Sequence, residues 1–168
     1  NVITGMEDLK AEEEALMGQW ITDRTQSDVN HVKEITAKAR TGTWTKAEQS
    51  EWLAGMKGAL NYTDFNRIES GIQELASFVG ANVSVKTDWL IDGYMKQSDA
   101  VRWLSNIAAI RSKCAGLDST PDVPASMDRL SFSAMNQIEQ VLYDIEMLAK
   151  TRVTFSGEFA CGEGQYGF

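Results

Sequence analysis

Few groups in this chain have the type and spacing to do chemistry. His31 is the single histidine and lies beside Asn30 in a helical stretch, with no nucleophile motif near it. A Ser–His–Asp set assembles in space rather than along the chain. No spacing here points to one, and His31 reads as a solvated helix residue. Glu69 and Glu139 hold equivalent places in two related segments. As a facing pair they would suit general acid–base work; otherwise they complete helix caps or bind Arg67 and neighbouring donors. One histidine and two distant cysteines, Cys114 and Cys161, exclude the common zinc patterns. A single pair of cysteines is not a disulfide framework, and free thiols are the default reading. Asp118, Ser119 and Asp122 near Gly116 lack the acidic ladder of a calcium loop. No catalytic, cofactor-binding or metal-binding residue is assigned, and no cofactor is expected.

The elements that would position these groups are helices. Four segments align without gaps: Ser27-Asp28-Val29-Asn30-His31-Val32, Thr63-Asp64-Phe65-Asn66-Arg67-Ile68, Ser98-Asp99-Ala100-Val101-Arg102-Trp103 and Ser133-Ala134-Met135-Asn136-Gln137-Ile138. Their spacings are 36, 35 and 35 residues. Each reads as a helix start. Ser27, Thr63, Ser98 and Ser133 are the expected caps, accepting from an orphan N–H of the first turn. The following Asp faces the positive end of the helix dipole. Asn30, Asn66 and Asn136 then fall in the first turn, where local bonding to the helix start competes with a second role, a polar row where repeats or a partner meet.

Downstream, apolar residues recur in steps of three and four. The second copy gives Phe65, Ile68, Ile72, Leu75 and Val79; the third gives Ala100, Trp103, Ile107 and Ile110. The fourth gives Met135, Ile138, Leu142, Ile145 and Leu148, and the first a weaker Val29, Val32, Ile35, Ala39. Met6, Leu9, Leu16, Met17 and Trp20 mark an acidic N-terminal helix over 1–20. Thr45-Lys46-Ala47-Glu48 has the form of a capping box, opening a helix with Trp52, Leu53 and Met56 that Gly58 weakens or ends. Gly80 suits a helix C-cap. Val83-Ser84-Val85 alternates as a short extended piece, and Thr87-Asp88-Trp89-Leu90 starts a loop or short helix. Pro121 and Pro124, the only prolines, make a rigid crossing. The expected fold is all-α: an irregular bundle of five or six helices with a four-fold repeat of about 35 residues. The repeated bundle spans 21–151, and a Gly/aromatic extended arm spans 152–168.

At 168 residues the chain suits one domain with short appendages. A net charge of −8 disfavours nucleic acid and an anionic membrane surface. No apolar run reaches the length of a membrane span. Binding residues are then sought among aromatics. Trp103 sits on a stripe and reads as core, as do Trp20 and Trp52. Trp44 and Trp89 lie in connections and are the candidates for exposed contact, either packed over a helix end or facing a ligand. In the arm, Phe155, Phe159, Tyr166 and Phe168 alternate with small residues, as in a strand that adds to a partner sheet or lies in a groove.

Several of these stretches resemble one family. Trp20-Ile21-Thr22-Asp23-Arg24-Thr25-Gln26-Ser27-Asp28-Val29, then Met56-Lys57-Gly58-Ala59-Leu60-Asn61-Tyr62-Thr63-Asp64-Phe65-Asn66-Arg67-Ile68-Glu69, then Thr87-Asp88-Trp89, then Asn136-Gln137-Ile138-Glu139 and Phe155-Ser156-Gly157-Glu158-Phe159 follow one order. It is similar to that of small tail-associated, minor structural proteins in prophages of gut Firmicutes, over about residues 18–163. The third copy departs from it, with Val101 for Asn and Leu104 for Glu. The resemblance implies a non-enzymatic structural or attachment role in a phage tail-like particle. Other tail or virion proteins, or a second copy of the chain, would be partners. It also implies a place in the virion, in the bacterial cytoplasm before assembly and outside the cell after release. The alternative is a carbohydrate or host-surface binding module using the loop tryptophans.

Overall fold

The computed structural model describes residues 20–114, 117–128 and 130–156, without the side chains of 152–156. Among them are five helices and no strand: α1 (Gln26–Thr41), α2 (Lys46–Ala54), α3 (Tyr62–Val79), α4 (Gln97–Lys113) and α5 (Phe132–Ser156). The fold is an all-α bundle, as the stripes imply. None of the described helices is long and apolar enough to cross a membrane. The N-terminal helix expected over 1–20 lies outside the described residues, apart from Trp20. The arm expected from 152 is not extended over its first five residues, because α5 continues through Ser156 and includes Phe155; the rest of that stretch lies outside the described residues. Phe159, Tyr166 and Phe168 lie outside the described residues.

The core lies among α3, α4 and α5, which pack on one another. Phe65, Ile68, Ile72, Leu75 and Val79 are buried on α3; Ala100, Trp103, Ile107 and Ile110 on α4; Met135, Ile138, Leu142 and Ile145 on α5. Each large apolar side chain so buried contributes about 1.5–3 kcal/mol before entropy is counted. The α1–α2 pair is built differently. Ile35 is the only buried residue of α1, and α2 has none. Trp52, expected in the core, is 38 % exposed, with Leu53 beside it at 55 %.

The helix starts sit two residues earlier than the motif suggested. The caps are Thr25, Asn61 and Lys96, and Ser131 Oγ accepts from Ala134 N at 3.1 Å at the start of α5. Ser27, Thr63, Ser98 and Ser133 are therefore each the second helical residue, not the cap. The Asp of the motif falls third, where its carboxylate reaches back to the cap N–H: Asp28 to Thr25 at 2.7 Å, Asp64 to Asn61 at 3.3 Å, Asp99 to Lys96 at 3.1 Å. A third-position carboxylate answering the cap is one half of the capping-box arrangement; Thr25 Oγ1 supplies the other half by accepting from Asp28 N at 3.3 Å, whereas Lys96 makes no side-chain cap bond. Thr45 and Glu48 form the box expected of them, and Gly80 closes α3 in the left-handed region at φ 69°. Helix α2 ends at Ala54, before Gly58, because Gly55 turns the chain at φ 94°; a Cβ there would lie 2.5 Å from Thr63 Oγ1. Gly58 serves instead as a packing point. A Cβ on it would collide with the carbonyl of Asp28, so the loop rests directly on the start of α1.

Candidate functional site

Two polar clusters stand where the motif residues meet, and they share one design. On α3, Asn66 holds the backbone of Trp89 from both sides. Its Oδ1 accepts from Trp89 N at 2.8 Å and its Nδ2 donates to Trp89 O at 2.9 Å. One turn on, Glu69 accepts from Lys86 N at 2.6 Å and from Trp89 Nε1 at 3.1 Å. On α5, Asn136 holds Arg24 in the same way, with bonds of 3.1 and 2.9 Å, and Glu139 accepts from Ile21 N at 2.7 Å. Each Asn-x-x-Glu thus clamps a non-helical stretch of four residues, bonding its last residue through the amide and its first through the carboxylate.

A cation completes each clamp. Arg102 of α4 forks onto Glu69 at 2.5 and 2.7 Å. Arg67 of α3 forks onto Glu139 at 2.6 and 3.1 Å, and Arg24 adds a bond at 2.7 Å. Arg67 and Arg102 are equivalent motif positions, and each also pairs with the Asp three residues before it. Burial opposes the charge of Arg67, but its bonds to Glu139 and Asp64 raise its pKa above the ordinary arginine value. The Arg102 pKa is raised by its bond to Glu69. Both glutamates are wholly inaccessible, at 0 % exposure. Their acceptors face the protein's own N–H groups, so neither is open to a solute as an acid or base. They do not form one facing pair; each sits in a cluster of its own.

The asparagine contacts correct the local reading of Asn66 and Asn136, which lie at the fifth helical position and reach across to distant backbone. Asn30 does not join them. It is exposed and takes a bond from Gln26 Nε2 at 3.0 Å. Asn106 of α4, not singled out in the sequence, holds Ser84 by the same two-sided bond at 3.0 and 2.7 Å. Arg24, Arg102 and Asn106 were all missed. A faint signal existed: Ile21-Thr22-Asp23-Arg24 and Lys86-Thr87-Asp88-Trp89, the two clamped stretches, share a central Thr-Asp.

At the third equivalent place the polar groups are gone together. Val101 and Leu104 replace the Asn and Glu on α4, and Gln137 stands on α5 where α3 and α4 carry Arg. Val101, Leu104 and Ala108 there form one wall of an open groove of about 350 Å³, with Val123, Pro124 and Met127 opposite. Another hollow, of about 500 Å³, lies between Trp20, Met56 and the start of α3. Its charged groups pair among themselves, Lys57 with Asp23 at 2.7 Å and Arg67 with Asp64 at 2.9 Å.

The remaining candidates scatter. Trp89 is buried at 3 % exposure, its ring 4.9 Å from that of Phe65 and covered by the Lys86 ammonium at 4.1 Å. It is not an exposed contact, because its indole N–H is needed by Glu69. Trp44 is half-buried. His31 makes an exposed pair with Glu51 at 2.8 Å. No cluster of three or more metal-ligating side chains occurs among the described residues. Cys114 is buried and disulfide-bonded rather than a free thiol; Cys161 lies outside the described residues. Exposed apolar groups do gather on one turn: Leu90, Ile91 and Tyr94 are 68, 62 and 72 % exposed, directly after the clamped Trp89. The chain matches no protein-family model, no curated protein and no solved structure.

Proposed function

We propose that the chain is a non-enzymatic structural or attachment module working through protein–protein contact, in the setting of a phage tail-like particle. The observation that carries this reading is the Leu90–Tyr94 turn. Three large apolar side chains stand in solvent, and the residue before them is fixed by three bonds to Asn66 and Glu69. A rigidly based apolar projection suits an interface anchor, since little entropy is lost when it docks. The motif polar groups support the same reading, because they hold the protein's own backbone. The setting rests on the sequence resemblance alone.

The test has two parts. Mass spectrometry of tail-like particles purified from cells that express this chain should find it in fixed proportion to other particle proteins. Ile91→Asp should remove it from particles while leaving its helical content intact. A chain absent from the particles overturns the setting, and incorporation unaffected by Ile91→Asp overturns the role of the turn.

A further inference from the structure

We infer that Cys114 is bonded to Cys161, and that this bond is a redox latch tying the last residues of the chain to the end of α4. The inference stands apart from the contact-module reading and does not depend on it. Cys114 is disulfide-bonded within a single chain, and the chain has one other cysteine, Cys161. Cys114 closes α4 in an extended conformation, with its N–H bonded to Arg111 O at 3.3 Å. Its side chain lies in the core cluster.

The bundle brings the two cysteines within reach. The ion pairs of Arg67 with Glu139 and of Arg102 with Glu69 gather the starts of α3, α4 and α5 at one end. The three packed helices therefore run the same way, and α4 and α5 finish at the other end. Ala149 stands 35 residues after Cys114, one repeat on, and is buried in the same cluster. Helix α5 continues past Ala149 to Ser156, a rise of about 10 Å. The residues from there to Cys161 span about 17 Å when extended, enough to come back to Cys114. The closed loop contains the crossing and the whole of α5, so the bond ties that helix to its neighbour. Once it is broken, residues 157–168 are joined to the bundle through α5 alone.

The chemistry is thiol–disulfide exchange with a low-molecular-weight thiol and its disulfide, such as glutathione. Cys114 is 2 % exposed, so an attacking thiolate meets the bond at the Cys161 sulfur. A mixed disulfide forms on Cys161, and Cys114 leaves as a thiolate that takes a proton from solvent. A second small thiolate then attacks the sulfur of the first. It carries that thiol off as the small disulfide and leaves Cys161 as a thiol. Closure is the reverse: two protein thiols and one small disulfide become one protein disulfide and two small thiols.

Peptide mapping of the full chain, oxidised with oxidised glutathione and kept from reductant, should link the Cys114 and Cys161 peptides and find no thiol open to alkylation. Dithiothreitol should open two alkylation sites and lower Tm by roughly 5–15 °C. Brief chymotrypsin treatment reads the latch. Cleavage after Phe159 should be about tenfold faster in the reduced protein, while cleavage at the exposed Leu90 and Tyr94 keeps its rate. Cys161→Ser leaves the core residue Cys114 in place and should match the reduced protein with or without dithiothreitol. A free thiol in the oxidised protein, or a Cys161–Cys161 link between two chains, overturns the pairing. An unchanged Tm, or equal cleavage after Phe159 in the two states, overturns the latch.

Discussion

Replacing Glu139 by Gln changes one atom inside the second clamp and sets its energetics against a clear number. The carboxylate is wholly buried and accepts from Ile21 N, Arg24 Nη2 and both terminal nitrogens of Arg67. The substituted amide would keep one acceptor oxygen and turn an NH₂ group toward the remaining donors. Arg24, whose side chain is 3 % exposed and also donates to the carbonyls of Lys57 and Ile21, and Arg67, at 23 %, would then lose a shared carboxylate and keep that of Asp64. Removing one partner of a buried ion pair costs about 3–5 kcal/mol, because the charge left behind stays desolvated. For a domain of this size that is a fall in Tm of roughly 6–20 °C. Glu69→Gln should cost less, about 1–3 kcal/mol. Its cation, Arg102, is 21 % exposed and can turn toward water while keeping Asp99 nearby. Urea unfolding followed by tryptophan emission would measure both. A loss under about 1 kcal/mol for Glu139→Gln, or the reverse order of the two variants, would refute the claim that these carboxylates hold the fold together.

Three further outcomes follow from local geometry. Thr25→Ala should destabilise by about 1 kcal/mol, while Ser27→Ala changes stability little; thermal melts showing the reverse would restore Ser27 as the cap. Gly58→Ala should cost about 1–3 kcal/mol or more, because its Cβ meets backbone of Asp28 rather than a movable side chain; a Tm within a degree or so of wild type would contradict the packing. The bond from Lys38 and the backbone N–H of Thr45 push the Glu48 carboxyl down to about 2 from 4.5. A carboxylate depressed in the folded state stabilises above its unfolded pKa, and that contribution fades as pH falls from about 4.5 toward 2. Carboxyl shifts followed by NMR should show Glu48 titrating near the bottom of that window, and a midpoint near 4.5 would break the link between α1 and α2.

Periodicity made the core legible. The α3, α4 and α5 stripes name side chains that are buried, except Leu148, which is half-buried, because three- and four-residue spacing is a local property of a helix. The caps were misplaced for an equally local reason. Thr25-Gln26-Ser27-Asp28 offers two hydroxyls ahead of one Asp, and an Asp fits either the first turn after a cap or the third position of a box. Trp89 and the two clamping asparagines were not legible, because their partners lie in non-periodic chain: Asn66 meets a residue 23 positions away and Asn136 one 112 positions away. Trp52 looked like core by spacing, yet α2 is too short and too loosely set against the bundle to bury it. The departures at Val101 and Leu104 were visible in the sequence. That they empty one groove while Gln137 replaces the matching cation became readable only once the helices were placed.

Hydrogen exchange at Arg24 and Trp89 tests the central claim most directly, since each amide is held by a motif asparagine and by no helix. Both should be protected to a degree comparable with helical amides of the core. Asn136→Ala should release Arg24 while Trp89 stays protected, and Asn66→Ala should do the opposite. Free exchange of both amides in the wild-type protein would contradict the account, because the motif would then clamp nothing.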